Sequence, residues 1–266
     1  MIKFSIITCT YNAGEFLQRT VDSVLAQTYP SVEHILMDGA SKDDTLSIIQ
    51  GYVEKNKKEN SPHDIIVHSE PDKGLYDAMN KGIRQASGQY LLFLNAGDVF
   101  PSDDTLSKVA RVGEEADPLP GVLYGDTDIV DADGNFLSHR RLSPPDNLTW
   151  KSFIHGMLVC HQAFYARADL AKANLYNLDY RFSADVDWCV RVMKSAEEKN
   201  VSLKRVPYVV VHYLDGGMTN KNHRASLKER FAIMCRHYGF LRTFFMHVWF
   251  VFRAVLKNKC QFKQPE

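Results

Sequence analysis

A repeated cycle in the N-terminal part of the chain most limits how it can fold. Short apolar, β-branched runs (Phe4 to Cys9, Glu33 to Met37, Ile65 to Val67, Tyr90 to Leu94) alternate with stretches whose apolar residues fall at helical spacing. Phe16, Leu17, Val21, Val24 and Leu25 make the first stripe, which Pro30 ends. Leu46, Ile49, Tyr52 and Val53 make the second, and the third runs from Leu75 to Ala86. A continuous apolar run suits a strand buried on both faces, and parallel strands need a crossover of about a dozen residues, which each helical stretch supplies. The expected fold is α/β, a doubly wound, mostly parallel sheet.

Ligands of such sheets bind beyond the carboxyl ends of the strands. The loops there hold Thr8, Tyr11 and Asn12 after the first strand, Asp38 after the second, Glu70, Asp72 and Lys73 after the third, and Asn95 and Asp98 after the fourth. Turn formation alone does not require so many carboxylates and amides on one rim. Past residue 120 the rhythm changes. Val122 to Val130 and Asn135 to Leu142 flank Asp133-Gly134, a hairpin signal, so an antiparallel addition to the sheet is expected. Arg181 to Lys194 carries helical spacing at Val186, Val190 and Met193, with acids at its start, and Val206 to Val211 reads as a further strand.

Composition narrows the function. The chain is 45% hydrophobic and 24% charged, the profile of a globular protein. Lys+Arg and Asp+Glu are both 32, so no basic excess points to nucleic acid. The five cysteines (Cys9, Cys160, Cys189, Cys235 and Cys260) are scattered and never form a CxxC pair. That favours neither a disulfide framework nor a zinc site and fits a reducing, cytoplasmic compartment. The N-terminus lacks the pattern of a signal peptide. Neither GxGxxG nor GxxxxGK[ST] occurs, so an ordinary dinucleotide fold or P-loop is not expected. A carboxylate rim points instead to Mg²⁺ or Mn²⁺ bridging a diphosphate, because hard cations take oxygen ligands from one or two carboxylates and the substrate's phosphates.

Three ordered segments carry a resemblance: Ser5-Ile6-Ile7-Thr8-Cys9-Thr10-Tyr11-Asn12, Met37-Asp38-Gly39-Ala40-Ser41-Lys42-Asp43-Asp44-Thr45, and Gln89-Tyr90-Leu91-Leu92-Phe93-Leu94-Asn95-Ala96-Gly97-Asp98. Together they resemble the motifs of family 2 glycosyltransferases with the GT-A fold. Ser69 to Gly82, with Glu70-Pro71-Asp72-Lys73-Gly74-Leu75-Tyr76-Asp77-Ala78-Met79-Asn80, is similar to the subgroup that builds colanic-acid-type exopolysaccharides. The likeness continues through His161-Gln162-Ala163 and Ser183-Ala184-Asp185-Val186-Asp187-Trp188 to Gly216-Gly217.

The resemblance implies inverting transfer of a sugar from a nucleotide-diphosphate donor to an acceptor hydroxyl. It places Thr8, Tyr11, Asn12 and Asp38 at the nucleotide, Asp72 and Lys73 beside it, and Asn95 at the ribose or donor sugar. It also places His161 and Gln162 near the acceptor, Asp98 and His212 at the metal, and Asp185 as general base. Asn95-Ala96-Gly97-Asp98 departs from the family's acidic D-x-D pattern, leaving Asp98 as its one anionic ligand. Asp185 and Asp187 lie two apart on a helix, about 200° around its axis, so only one can face a given site. Loss of two acids leaves open a catalytically silent, sugar-nucleotide-binding or scaffolding chain. A nucleotidyltransferase is disfavoured by the lack of a Gly-rich basic loop.

The zero net charge hides an asymmetry. Residues 221–266 hold ten Lys/Arg against two acids, a net of +8, so residues 1–220 carry 22 minus 30, or −8. The expected organisation is a catalytic domain over 1–220 and a basic, aromatic-rich helical tail over 221–266. Ten residues separate Arg242 from Arg253, short of the roughly 20 that a spanning helix needs. Arg242, Arg253 and Lys257 fall within roughly 60° at about 100° per residue, opposite an aromatic face. That is the pattern of an interfacial helix over 240–259, holding the enzyme at the inner face of a membrane where a glycan or lipid-linked acceptor is reached. Packing on the chain's own core or a second copy is the alternative.

Overall fold

The computed structural model describes residues 1–216 and 223–261, with side-chain environments for 1–216 and 224–253. Strands β1 (Phe4–Thr10), β2 (Val32–Asp38), β3 (Asp64–Ser69) and β4 (Tyr90–Phe93) alternate with helices α1 (Gly14–Leu25), α2 (Thr45–Lys58) and α3 (Leu75–Gln85). These strands pair in parallel, in the order β3-β2-β1-β4. All seven residues of both β1 and β2 are buried, as a sheet covered on both faces requires. Leu36 packs with Leu17, Val21, Ile49 and Tyr52 of α1 and α2, while its neighbours Ile35 and Met37 join the larger core on the other face. The side-chain period of a strand is two, which is why adjacent residues part company.

Helix α4 (Thr105–Glu114) follows, and then the expected hairpin, β5 (Val122–Val130) with β6 (Phe136–His139), paired antiparallel. The stretch 148–165, which has no readable period, holds two short 3-10 helices, Trp150–His155 and His161–Ala163. It runs into β7 (Phe164–Arg167), which joins β4 to β5 antiparallel on both sides. Helix α5 (Ala168–Ala173) and helix α6 (Ala184–Glu198) precede β8 (Leu203–Leu214), which lies parallel to β5 and is longer than the six residues expected of it. Trp188 of α6 is fully buried, stacked 5.0 Å from Tyr176 and edge-on to Phe93 at 5.6 Å. Truncating such a side chain costs about 3–5 kcal/mol, so α6 is anchored through the same β4 that ends at the rim.

Two helices close the chain, α7 (His223–Tyr238) and α8 (Phe240–Gln261). Among the described residues no helix is long and apolar enough to cross a membrane. Gly217, Met218 and Thr219, and the side chains of Lys257 and Lys259, lie outside the described residues.

Candidate active site

The carboxyl ends of β1, β2 and β3 are in register: Thr10 lies opposite Asp38, and Asp38 opposite Ser69. In-register neighbours of parallel strands point to the same face, so Asp38 accepts hydrogen bonds from Thr10 Oγ1 at 3.0 Å and Ser69 Oγ at 2.7 Å. It also accepts from the N–H and hydroxyl of Ser41. Burial alone would raise its pKa, but the donors of Ser41, Ser69 and Thr10 outweigh burial and keep it below the usual range. Asp38 thus holds the rim loops together as a carboxylate. Asn12 closes the same turn with a positive φ of 49°, its Oδ1 accepting from the N–H of Lys42 at 2.8 Å and its N–H donating to Ser41 Oγ at 2.8 Å.

Thr8 is a correction to the expected nucleotide pocket. Its side chain is fully buried on the α1/α2 side of the sheet, donating to the carbonyl of Leu94 at 2.7 Å and contacting His34 Nε2 at 2.9 Å. Because the hydroxyl hydrogen goes to Leu94, Nε2–H donates to Thr8 and Nδ1 accepts from the Tyr52 hydroxyl, 3.0 Å away. Burial pushes His34 down to about 3, fixing this neutral arrangement. Tyr11, by contrast, is 66% exposed on the rim, with its ring against Gly39. Asp72 also reaches Gly39: a Cβ there would stand 2.6 Å from Asp72 Oδ2. The third-strand loop therefore lies directly over the backbone of the second. Lys73 is exposed beside it.

Asp98 is 3% exposed, and each of its oxygens is engaged: Oδ1 accepts from the N–H of Leu214 at 3.0 Å and Oδ2 from Gln162 Nε2 at 3.0 Å. Burial raises its pKa to about 6 against the opposing pull of these bonds and of His161. Gly97, at the position where the family pattern has an acid, has φ +100°, and a Cβ would meet Leu214 Cδ2 at 2.5 Å. The missing acid therefore reflects a backbone that rejects a side chain.

His212 pairs its backbone with Val99, but its ring titrates under the influence of Asp128 and Arg19 after burial, which lowers it. Strand alternation turns Tyr213, not His212, toward Asp98, Cys160 and Asp185. Among the described residues no group of three or more His, Cys, Asp or Glu side chains is placed to hold a metal ion. Asp98 is the one carboxylate at the family's metal position, so a Mg²⁺ or Mn²⁺ ion here would take its remaining ligands from the donor's phosphates.

A chain of contacts leads from Asp98 to Asp185. Gln162 bonds Asp98, His161 is its neighbour, and His161 Nδ1 lies 3.6 Å from Asp185 Oδ2 in the first turn of α6. Burial would raise the Asp185 carboxyl, but His161 beside it, with the charge of Arg230 on α7, holds it below the usual range. Four buried polar atoms here lack a hydrogen-bond partner: Asn95 Oδ1, His161 Nε2, Asp185 Oδ1 and Arg230 Nε. Buried polar groups are rarely left so, and those of the neighbouring His161 and Asp185 suit a polar ligand. Asp187 faces away and is occupied by Arg191 Nε and His237 Nε2, both at 2.7 Å.

Sequence reasoning missed Tyr213 and Arg230. The first was legible in the alternation beside His212; the second lies on a helix distant in sequence from everything it faces.

The sequence profile described as "Glycosyl transferase family 2" matches residues 5–172. A "PGL/p-HBAD biosynthesis glycosyltransferase" of Mycobacterium bovis (strain BCG / Pasteur 1173P2) is 35% identical over 219 residues, 82% of this chain and 79% of its own. Among solved structures, S. aureus TarS 1-349 in complex with UDP-GlcNAc superposes with a TM-score of 0.65 at 18% identity, over 87% of this chain and 65% of that one. The mannosyltransferase PcManGT from Pyrobaculum calidifontis, in complex with GDP-Man and Mn²⁺, gives 0.62 at 18% identity, over 88% and 64%. The chain spans about two thirds of these solved structures, and at such identities they establish a common GT-A-like fold. With the family profile covering more than half of its length, the chain belongs to the family 2 glycosyltransferases.

Proposed function

We propose that this glycosyltransferase is an inverting enzyme that moves a sugar from a nucleotide diphosphate to a hydroxyl of a glycan or lipid-linked acceptor in surface polysaccharide or glycolipid synthesis. The observation that carries this reading is the set of unpartnered buried atoms between Asn95 and Asp185. Asp185 is held as a carboxylate with one oxygen free, which suits a general base. The acceptor oxygen attacks the anomeric carbon, its proton passes to Asp185, and the bond to the diphosphate breaks on the opposite side to release the nucleoside diphosphate. Tyr11, Asp72 and Lys73 border the nucleotide; Asp38 and Asn12 shape that border by fixing the loops. His161 orients Asp185, and Gln162 secures Asp98 beneath the donor sugar. Asp98, with the donor's diphosphate oxygens, would hold a divalent cation, which would offset the charge of the leaving diphosphate.

The tail completes the reading. Phe240, Leu241, Phe244, Phe245, Val248, Trp249, Val251 and Phe252 of α8 are exposed, while Thr243 is buried and His247 packs 4.8 Å from Phe231 of α7. An apolar face flanked by Arg242 and Arg253, in a segment of net +8, complements an anionic lipid surface. The catalytic body over 1–220 and the tail over 221–266 then divide the work of transfer and location, at the inner face of a membrane.

A transfer assay with UDP-, GDP- and dTDP-sugars, with Mn²⁺ and with chelator, compares wild type with Asp185→Asn. Product of inverted configuration, lost in the variant, supports the proposal. The acids replaced at Asn95 and Gly97 favour a silent nucleotide-sugar-binding chain as second reading; binding without turnover of any donor would establish that one instead.

A further inference from the structure

Asp185 is the second residue of α6, and its placement depends on the segment that leads into that helix. The residue expected to organise this start, Ser183, makes no side-chain cap bond; its hydroxyl faces Ser226 Oγ of α7 at 3.0 Å. The organising group comes from α7 itself. Glu229 accepts the N–H of Arg181 at Oε1 and those of Phe182 and Ser183 at Oε2, each at 2.7 Å. One carboxylate bound by three successive N–H groups fixes the backbone of 181–183 in a single conformation, since each such bond is charge-assisted. On the far side of Asp185, His237 of α7 bonds Asp187 Oδ1 at 2.7 Å, and Asp187 is 2% exposed. Asp185 therefore lies midway between two fastenings to α7, at Ser183 and at Asp187.

We infer that Glu229 is a positioning residue for Asp185, and that α7 is part of the catalytic unit as well as the support of the aromatic tail. The inference rests on the transfer reading with Asp185 as base. A base displaced by about 1 Å can lose on the order of a hundredfold in rate, whereas a loose segment at this point leaves the nucleotide rim of β1 to β3 untouched. Neither Ser183 nor Asp187 can replace Glu229, because Ser183 is turned to Ser226 and Asp187 is occupied by Arg191 and His237.

The test uses full-length Glu229→Gln and Glu229→Asp beside wild type and Asp185→Asn. Three quantities are read: amide hydrogen exchange over 181–187, affinity for UDP and GDP as probes, and kcat for the donor that wild type turns over. Glu229→Gln keeps the size of the side chain but places an amide N–H₂ against backbone donors. Faster exchange at 181–187, a fall in kcat of about tenfold or more, nucleotide affinity within about twofold of wild type and partial recovery in Glu229→Asp are expected. Unchanged exchange overturns the clamp without any need for substrate. Unchanged kcat in a folded Glu229→Gln, or kcat and nucleotide affinity falling together with melting temperature, overturns the positioning role. Wild-type turnover by Asp185→Asn instead removes the base assignment on which the inference rests, and is distinguished by that control.

Discussion

Asp185 Oδ2 lies 3.6 Å from His161 Nδ1, while the atoms these residues turn away from each other, Asp185 Oδ1 and His161 Nε2, are buried and unpartnered. A base works as its carboxylate, so the rate falls as pH drops through the pKa of Asp185. Burial raises that pKa, and His161 is the first of the groups that bring it down. In His161→Phe the falling limb of the pH-rate profile moves to higher pH. Losing this neighbour raises the Asp185 pKa, so kcat/KM drops on the acid side and recovers at higher pH. A profile displaced in parallel at all pH values would contradict this role for His161.

Asp98 gives a pH dependence of stability with the opposite origin. Its folded pKa is about 6, above the roughly 3.9 of an unfolded Asp. The folded state therefore binds the proton more tightly, and the charge penalises folding above pH 6. The penalty, about 3 kcal/mol at 1.36 kcal/mol per unit, fades as pH falls from 6 toward 4. Melting temperatures of wild type minus Asp98→Asn, taken in chelator, should rise over that window. A difference independent of pH would show that Asp98 is not titrating there.

Restoring the family's acid at Gly97 should harm the protein. Gly97→Asp imposes φ +100° on a residue with a Cβ and presses it to 2.5 Å from Leu214 Cδ2. Strain of this kind costs about 1–3 kcal/mol, and Leu214 must shift while its N–H is bonded to Asp98. The variant should melt lower than wild type and gain no Mn²⁺-dependent turnover. Higher activity with Mn²⁺ would mean that the loop can refold around a cation.

The parallel half of the sheet was legible because buried strands leave a local record. Phe4 to Cys9 is apolar but for Ser5 and Thr8, and every residue of it is buried, as in a strand covered on both faces. The inward orientation of Thr8 was available from the same period of two: Ile7 and Cys9 join one core face, so Thr8 must join the other. Other features have no local record. β7 is four residues long and exists because β4 and β5 accept it on either side. Asp187 reads like a second site carboxylate until His237, far along the chain, is seen to occupy it. The preference for Asp185 over Asp187 rested on resemblance and on helical geometry, and the partner that distinguishes them was beyond any window of sequence.

The aromatic face of α8 makes the last prediction. Phe245 and Trp249 are 66% and 51% exposed, one helical turn apart, and Arg242 lies beside them at their N-terminal side. Apolar burial contributes about 25 cal/mol per Å² and each basic residue near an anionic surface about 1 kcal/mol, so both parts of the face contribute to binding. Full-length protein should sediment with vesicles containing anionic phospholipid and much less with neutral ones, and more weakly as salt rises toward the regime where the Debye length is about 3 Å. Phe245→Ser with Trp249→Ser should leave the protein in the supernatant, and Arg242→Gln with Arg253→Gln should weaken binding roughly thirtyfold at about 1 kcal/mol each. If wild type stays in the supernatant yet elutes as a dimer that the two serine substitutions dissociate, the face joins copies of the chain and the membrane assignment is wrong.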